Sequence, residues 1–339
     1  ESDDPIRKVE LEKIAEICEW VPGNPPRNFW EAVQAIWFAQ MGCHIEANGP
    51  SYSPGRFDQY MYPYYKKDIQ GGRLTKEKTL ELIECLWIKF SECTWLLSKN
   101  AAKYFAGYQP FQNICVGGLT RDGRDATNEL SYMCVDAKKD VKTHSPSLSV
   151  SLHNKSPEEF LLKVCELVRE GTGFPAIHCD ETAMKMMLLK GATIEDARDY
   201  CEVGCVEPNV PGKMSQWSDG GHYNFGAAME FALTNGVSLM NERKKLGVET
   251  GDPRTFKTFD ELKDAAKKQL AYFIGHIAIA CHITERLHAE LTPYPYMSSM
   301  IFDCIERGKD ITVGGARYTI GPAFIGTGTA DLANSLAAI

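Results

Sequence analysis

Residues 113–178 read NICVGGLTRDGRDATNELSYMCVDAKKDVKTHSPSLSVSLHNKSPEEFLLKVCELVREGTGFPAIH, and the texture of this stretch decides the fold class. Three short segments, Asn113–Leu119, Leu148–Leu152 and Ala176–His178, read as candidates for buried strands. Helix-forming segments at Thr127–Lys138 and Pro157–Glu170 separate them. Crossovers of that length join parallel strands, so the chain reads as α/β with a parallel sheet or barrel.

Outward toward the C-terminus, Glu181–Leu189 is another helix, and Thr193–Cys201 leads into an irregular stretch ending at Phe225. Beyond it the pattern predicts long helices over Phe225–Lys245 and Phe259–Leu291, and a second strand–helix unit closes the chain. Toward the N-terminus, helical periodicity covers Pro5–Trp20, Asn28–Met41 and Thr75–Ser98, the first two as outer-layer helices. Between them lie a turn-rich loop, Asn48–Arg56 (NGPSYSPGR), and an aromatic segment, Phe57–Tyr65. Its tyrosines Tyr60, Tyr62, Tyr64 and Tyr65 read as packing rather than as a radical-transfer chain. No repeat or linker marks a domain boundary.

With 339 residues and 44% hydrophobic content the chain can bury a large core, which excludes disorder as its main state. A net charge of -8 leaves no basic surplus to displace counterions from phosphates, so a small molecule is the expected partner rather than nucleic acid. The 12 cysteines are scattered without paired spacing, as free thiols of a reducing cytoplasm would be. No apolar run approaches the roughly 18 residues of a membrane span. The chain opens without a methionine and stops inside what reads as a helix begun near Ala330, so it is expected to be a fragment.

Chemistry concentrates in Cys201–Phe225, CEVGCVEPNVPGKMSQWSDGGHYNF, which holds two prolines, four glycines and an acid beside each cysteine. Such a segment cannot form a long regular ladder, and turns and side-chain contacts must fix its shape. A carboxylate next to Cys205 and an apolar wall both oppose thiolate formation. A protonated thiol, expected to be shielded from water, suits homolytic S–H chemistry, with Glu207 exchanging a proton with the substrate in the same pocket.

GCVEP followed by VPGK and a Trp-x-Asp cluster resembles the active-site loop of the glycyl radical enzymes, in their dehydratase and decarboxylase branch. The likeness extends to SPGRFDQYMYPYY at Ser53–Tyr65, PFQNICVGG at Pro110–Gly118, Phe174-Pro175, and IERGKDITVGGARY at Ile305–Tyr318. It implies a ten-stranded α/β barrel of the pyruvate formate-lyase type, here partial, with surrounding helices, residues 1–339 forming a single barrel domain. Cys205 would be the thiyl-radical relay and Glu207 the proton-handling acid. The radical glycine lies in an RVxGY-like motif that the 339 residues do not contain. The resemblance further implies no cofactor bound by this chain, a radical S-adenosylmethionine, iron–sulfur activase as partner, and a homodimer.

Position by position, Phe111 matches a substrate-packing aromatic, Ser51 a polar residue that orients substrate, and Ser218, Asp219 and His222 the pocket-facing part of the loop. Two positions depart from the diol dehydratases: Pro50 stands where they carry a histidine, and Trp-Ser-Asp replaces Trp-His-Asp. Losing a donor to the leaving hydroxyl costs about 1–3 kcal/mol when a buried partner is left unpaired. An arylacetate instead needs a flat apolar slot, which Phe111, Trp217, Tyr223 and Phe225 can line. The leading expectation is therefore a decarboxylase of a 4-hydroxyphenylacetate-like substrate, ahead of a glycerol, propanediol or hydroxyproline dehydratase.

Blander readings stand beside these. Taken alone, Cys205 is a small buried hydrophobe; a scaffold that had lost its chemistry would not need both it and Glu207. A thiol nucleophile working with His222 is a further alternative. Cys201 and Cys205 lack the further ligands of a zinc site, and His276, His282 and His288, six residues apart, do not share a helix face. GTGTAD at Gly326–Asp331 is read as scaffold rather than as a dinucleotide loop. Arg56 and Arg317 are open between binding a substrate carboxylate and making structural ion pairs.

Overall fold

The computed structural model describes residues 4–49, 51–105, 107, 109–216 and 220–339. The chain divides into two compact units, one of Glu1–Met214, Tyr294–Lys309 and Ala316–Tyr318, the other of Ser215–Pro293, Asp310–Gly315 and Thr319–Ile339. No helix among the described residues is long and apolar enough to cross a membrane.

The first unit is built on three parallel strands in chain order, β1 (Asn113–Gly117), β2 (Ser147–Leu152) and β3 (Ala176–Cys179). Ile114 pairs with Leu148, and Ser149 with Ala176. All five residues of β1 are buried, as expected of a parallel strand covered on both faces. Helices Glu129–Val141 and Glu158–Arg169 make the crossovers. The first starts where Asn128 and Ser131 form a capping box, and it stops at Lys142, which takes a left-handed conformation.

The α/β expectation holds, with these parallel strands as a partial sheet of the barrel type. Its core joins the sheet residues Ile114, Val116, Leu148 and Val150 to Phe57, Trp87, Phe90 and Phe160 from the flanking helices. Phe57 meets Trp87 edge to face at 5.4 Å, and Tyr65 packs on Phe29, so this part of the tyrosine segment is core. Truncating one of the large rings would cost about 3–5 kcal/mol.

A fourth segment extends the sheet on the far side of β1. Gly55 bridges to Ile114 in parallel, so the SPGR turn lies along the strand. Arg56 anchors it: its guanidinium donates to the carbonyls of Gly117 and Leu119, each at 2.8 Å, and to Asp199 at 3.1 Å. Arg56 is buried, and its donors go to the scaffold. Arg317 is likewise committed, to both carboxylate oxygens of Asp303 at 3.0 and 2.7 Å. The carboxylate-binding reading of both arginines is therefore set aside. Two further strands, β4 (Cys201–Val203) and β5 (Glu207–Asn209), form an antiparallel hairpin.

The second unit centres on the helix Phe259–Leu291, opened by a capping box between Thr258 and Glu261. Leu262, Ala265 and Ala266 pack with Met229 and Ala232. The helix expected over Phe225–Lys245 ends at Leu233. Asn235 and Gly236 both have positive φ, and the Asn235 side chain accepts from the N–H groups of Thr250 and Gly251, holding the turn against continuation. The helix expected over Thr75–Ser98 is Lys76–Ser91, and the remainder is irregular. Strand Gly221–Asn224 runs parallel to Phe324–Thr327, and helix Thr329–Ala338 follows, which is the expected closing strand–helix unit and makes GTGTAD part of the scaffold.

Candidate active site

The hairpin β4–β5 turns through Gly204, Cys205 and Val206. Gly204 has φ +63°, and a Cβ there would stand 2.8 Å from Glu207 Oε2 and 3.4 Å from Ser51 Oγ. Only glycine fits this place. The residue is clamped from both sides: its N–H donates to Ser53 Oγ at 3.2 Å, and its carbonyl accepts from Asn113 Nδ2 at 3.0 Å. Ser53 Oγ also accepts from Asn113 N at 3.1 Å, so the end of β1 and the SPGR turn hold the hairpin together.

Glu207 folds back over the turn, and its Oε2 accepts the N–H groups of Cys205 and Val206, each at 2.9 Å. Two donors on one oxygen orient the carboxylate beside the thiol-bearing residue. Ser51 donates to the carbonyl of Phe111 at 2.8 Å. From Phe111 an aromatic run leads outward, to Phe105 at 6.2 Å and on to Trp95 at 5.2 Å. The first unit thus gathers four residues marked in the sequence, Ser51, Phe111, Cys205 and Glu207.

One expectation is corrected. Cys205 was expected to be shielded, and it is exposed, as is Val206. The reason is local: both sit at the tip of a three-residue turn, where a side chain has protein on one side only.

The other marked positions are elsewhere. His222 belongs to the second unit, where it lines a cleft of about 430 Å³ with Tyr223, Phe231, Phe273, His276 and Ile277. Tyr223 and Phe225 meet edge to face in that unit. Pro50, Trp217, Ser218 and Asp219 lie outside the described residues.

The structure adds a residue that sequence reasoning passed over. Glu202, in the middle of β4, is fully buried. Its N–H donates to Cys115 Sγ at 3.0 Å, tying the hairpin to β1. Burial, then the nearby charge of Glu207, pushes the Glu202 carboxyl up to about 8, against an opposing pull from Lys190. His178 Nδ1 lies 3.2 Å from Glu202 Oε1, and burial holds the imidazole below its ordinary value. Burial thus disfavours charge on both members of the pair. The signal in the sequence was the acid itself, three residues before Cys205.

The whole chain, residues 1–339, matches the family described as pyruvate formate lyase-like. The chain belongs to that family. Among its relatives in the pyruvate formate lyase-like group, the isethionate sulfite-lyase of Oleidesulfovibrio alaskensis is 40% identical over 91% of this chain and 37% of its own length. A solved structure concerned with 1,2-propanediol dehydration in Roseburia inulinivorans superposes with a TM-score of 0.94 at 42% identity, over 99% of this chain and 42% of that one. The hydroxyproline dehydratase of Clostridioides difficile, solved with trans-4-hydroxy-L-proline, gives 0.95 at 38% identity, over 100% and 43%. The chain therefore spans well under half the length of these pyruvate formate lyase-like relatives. The resemblance to glycyl radical enzymes read from the GCVEP segment is confirmed at the level of the family.

Proposed function

We propose that the protein is a glycyl radical lyase that eliminates a group from a small hydroxylated substrate. The observation that carries the reading is the turn itself, in which one oxygen of Glu207 takes the N–H groups of both Cys205 and Val206. The carboxylate is thereby held against the backbone of the thiol-bearing residue, with Ser51 and the Phe111 carbonyl nearby.

A glycyl radical, installed by an S-adenosylmethionine, iron–sulfur activase, supplies an acceptor for a hydrogen atom. The exposed tip suits Cys205 to meet a backbone carbon from another segment. Cys205 gives up its hydrogen atom, takes one from a substrate C–H bond, and later returns it to the product radical. Glu207 accepts the proton of the substrate hydroxyl as the neighbouring bond to the leaving group breaks, and that proton departs with the leaving group. Ser51 and Phe111, both in the first unit, orient the substrate. A single barrel domain, a homodimer and a cytoplasmic location belong to the same reading.

Elimination now stands ahead of the arylacetate decarboxylation favoured from the sequence, because the more similar proteins named above are a sulfite-lyase and two proteins of dehydration, whereas an indoleacetate decarboxylase is 32% identical. Decarboxylation remains the second reading on one observation, the aromatic run Phe111–Phe105–Trp95 beside Ser51. The test is a substrate panel with anaerobically activated enzyme, comprising a vicinal diol, hydroxyproline, a hydroxyalkyl sulfonate and arylacetates. Elimination from one of the first three is expected. Carbon dioxide released from arylacetates, with none of the others turned over, reverses the order.

A further inference from the structure

Glu202 and Glu207 leave opposite faces of one hairpin. Glu202 pairs with Pro208 and Val203 with Glu207, and side chains alternate along each strand. Glu207 turns back onto the tip, whereas Glu202 points into the interior, where it is 0% exposed. Neither of its carboxylate oxygens receives a hydrogen bond from a described residue, since His178 Nδ1, at 3.2 Å, is too oblique for one.

An ionised carboxyl without donors is strongly disfavoured in such a place, so Glu202 holds its proton. The titratable groups around it come from every neighbouring element: His178 from β3, Cys115 from β1, Tyr200 just before β4, Lys190 after the helix Asp180–Leu189, and Glu207 from β5. Among them Lys190 is the cation that opposes the rise at Glu202, and burial in turn lowers its own affinity for a proton. His178 also has a second side. Its Nε2 stands 3.4 Å from Ser149 Oγ, and its ring lines an open cleft of about 300 Å³ at the carboxyl ends of β2 and β3, with Leu152, His153 and Cys179.

We propose that Glu202, buried on the interior face of the hairpin 3.2 Å from His178, is a positioning residue for Glu207, leaving the hairpin's negative charge to Glu207 on the opposite face. The inference rests on the reading of Cys205 and Glu207 as the reacting pair. Although they leave opposite faces, the charge of Glu207 opposes one on Glu202, and their titrations are coupled, so a change at either is felt equally by the other.

The experiment is an infrared titration of the protonated-carboxyl band in the full enzyme, for the parent, E202Q and E207Q. The parent should keep a buried carboxyl band through neutral pH that disappears near pH 8. E202Q should lack it. In E207Q the band should titrate lower, by about half a unit or more, because the neighbouring charge is gone. An unchanged midpoint in E207Q, or no such band in the parent at neutral pH, overturns the proposal. Should E202Q not fold, the shift in E207Q carries the test unaided. Turnover adds a separate arm: parent activity should fall as pH passes about 8 and E202Q should keep its plateau. An activated parent that turns over nothing on the panel sinks the lyase reading and leaves the infrared outcome standing.

Discussion

Asn113 holds Gly204 by its side-chain amide, Nδ2 to the carbonyl oxygen at 3.0 Å, across 91 residues of sequence. The contact is buried and connects the first strand of the sheet to the turn that carries Cys205. Replacing Asn113 by alanine leaves the Gly204 carbonyl without that donor. The expected loss is about 1–3 kcal/mol in urea unfolding, with a drop in turnover from a looser turn. Unchanged stability would mean that the amide is not holding the hairpin.

Gly204 itself has no room for a side chain. Its φ of +63° and the 2.8 Å approach of Glu207 Oε2 to a Cβ act together. Gly204→Ala must push Glu207 off the two N–H groups it accepts. We expect about 1–2 kcal/mol of destabilisation and at least about tenfold slower turnover, as a misplacement near 1 Å beside reacting groups would give. A fully active alanine variant would show that the carboxylate's seat is dispensable.

How much of this was readable beforehand follows from what each residue needs. β1 was legible because a parallel strand buried on both faces makes an unbroken apolar run, Ile114–Val116, and β2 and β3 because their short strand-like segments are set apart by helix-length crossovers. The stop at Leu233 was also written, as Asn235-Gly236, but apolar residues continue past it at Val237 and Leu239 and mask the turn. The burial of Glu202 and the exposure of Cys205 were not readable. Strand alternation says that neighbours face opposite ways, yet only the packing of β4 against β1 makes one face an interior and leaves the tip uncovered.

Arg56 separates structural from substrate roles. Its donors reach the carbonyls of Gly117, Leu119 and Arg198 as well as Asp199. Arg56→Gln strands buried carbonyls and should cost about 3 kcal/mol, read as a lower urea midpoint at unchanged slope. Had Arg56 bound a substrate carboxylate, KM would rise while stability held, and that result would restore the abandoned reading.

Glu202 makes stability depend on pH, and the sign is definite. Its folded value, about 8, lies above the ordinary 4.5, so the native state binds the proton more tightly than the unfolded chain does. The contribution is fully present below pH 4.5 and is lost as pH rises to about 8, at up to about 1.4 kcal/mol per unit. E202Q should remove this slope, leaving the variant relatively more stable at pH 8 than at pH 5. Parallel stability curves for the two proteins, measured by urea unfolding across that range, would assign the slope to other groups.

The exposure of Cys205 changes how its chemistry should be probed. Were the thiol shielded, slow alkylation would separate a relay from a nucleophile; at an open turn tip, access no longer limits the reaction, and the rate reports ionisation instead. In the 339-residue chain, residue-resolved labelling should modify Cys205 together with the exposed Cys18, Cys85, Cys165 and Cys179, while the buried Cys115, Cys134 and Cys201 stay protected. Its pH dependence then decides the role. Labelling that climbs only toward pH 8 and above fits a protonated thiol held for hydrogen-atom transfer, and Cys205→Ser should abolish turnover in the activated enzyme because a hydroxyl O–H bond is far harder to break homolytically. Fast labelling already at pH 6 would mark a thiolate nucleophile and displace the radical reading.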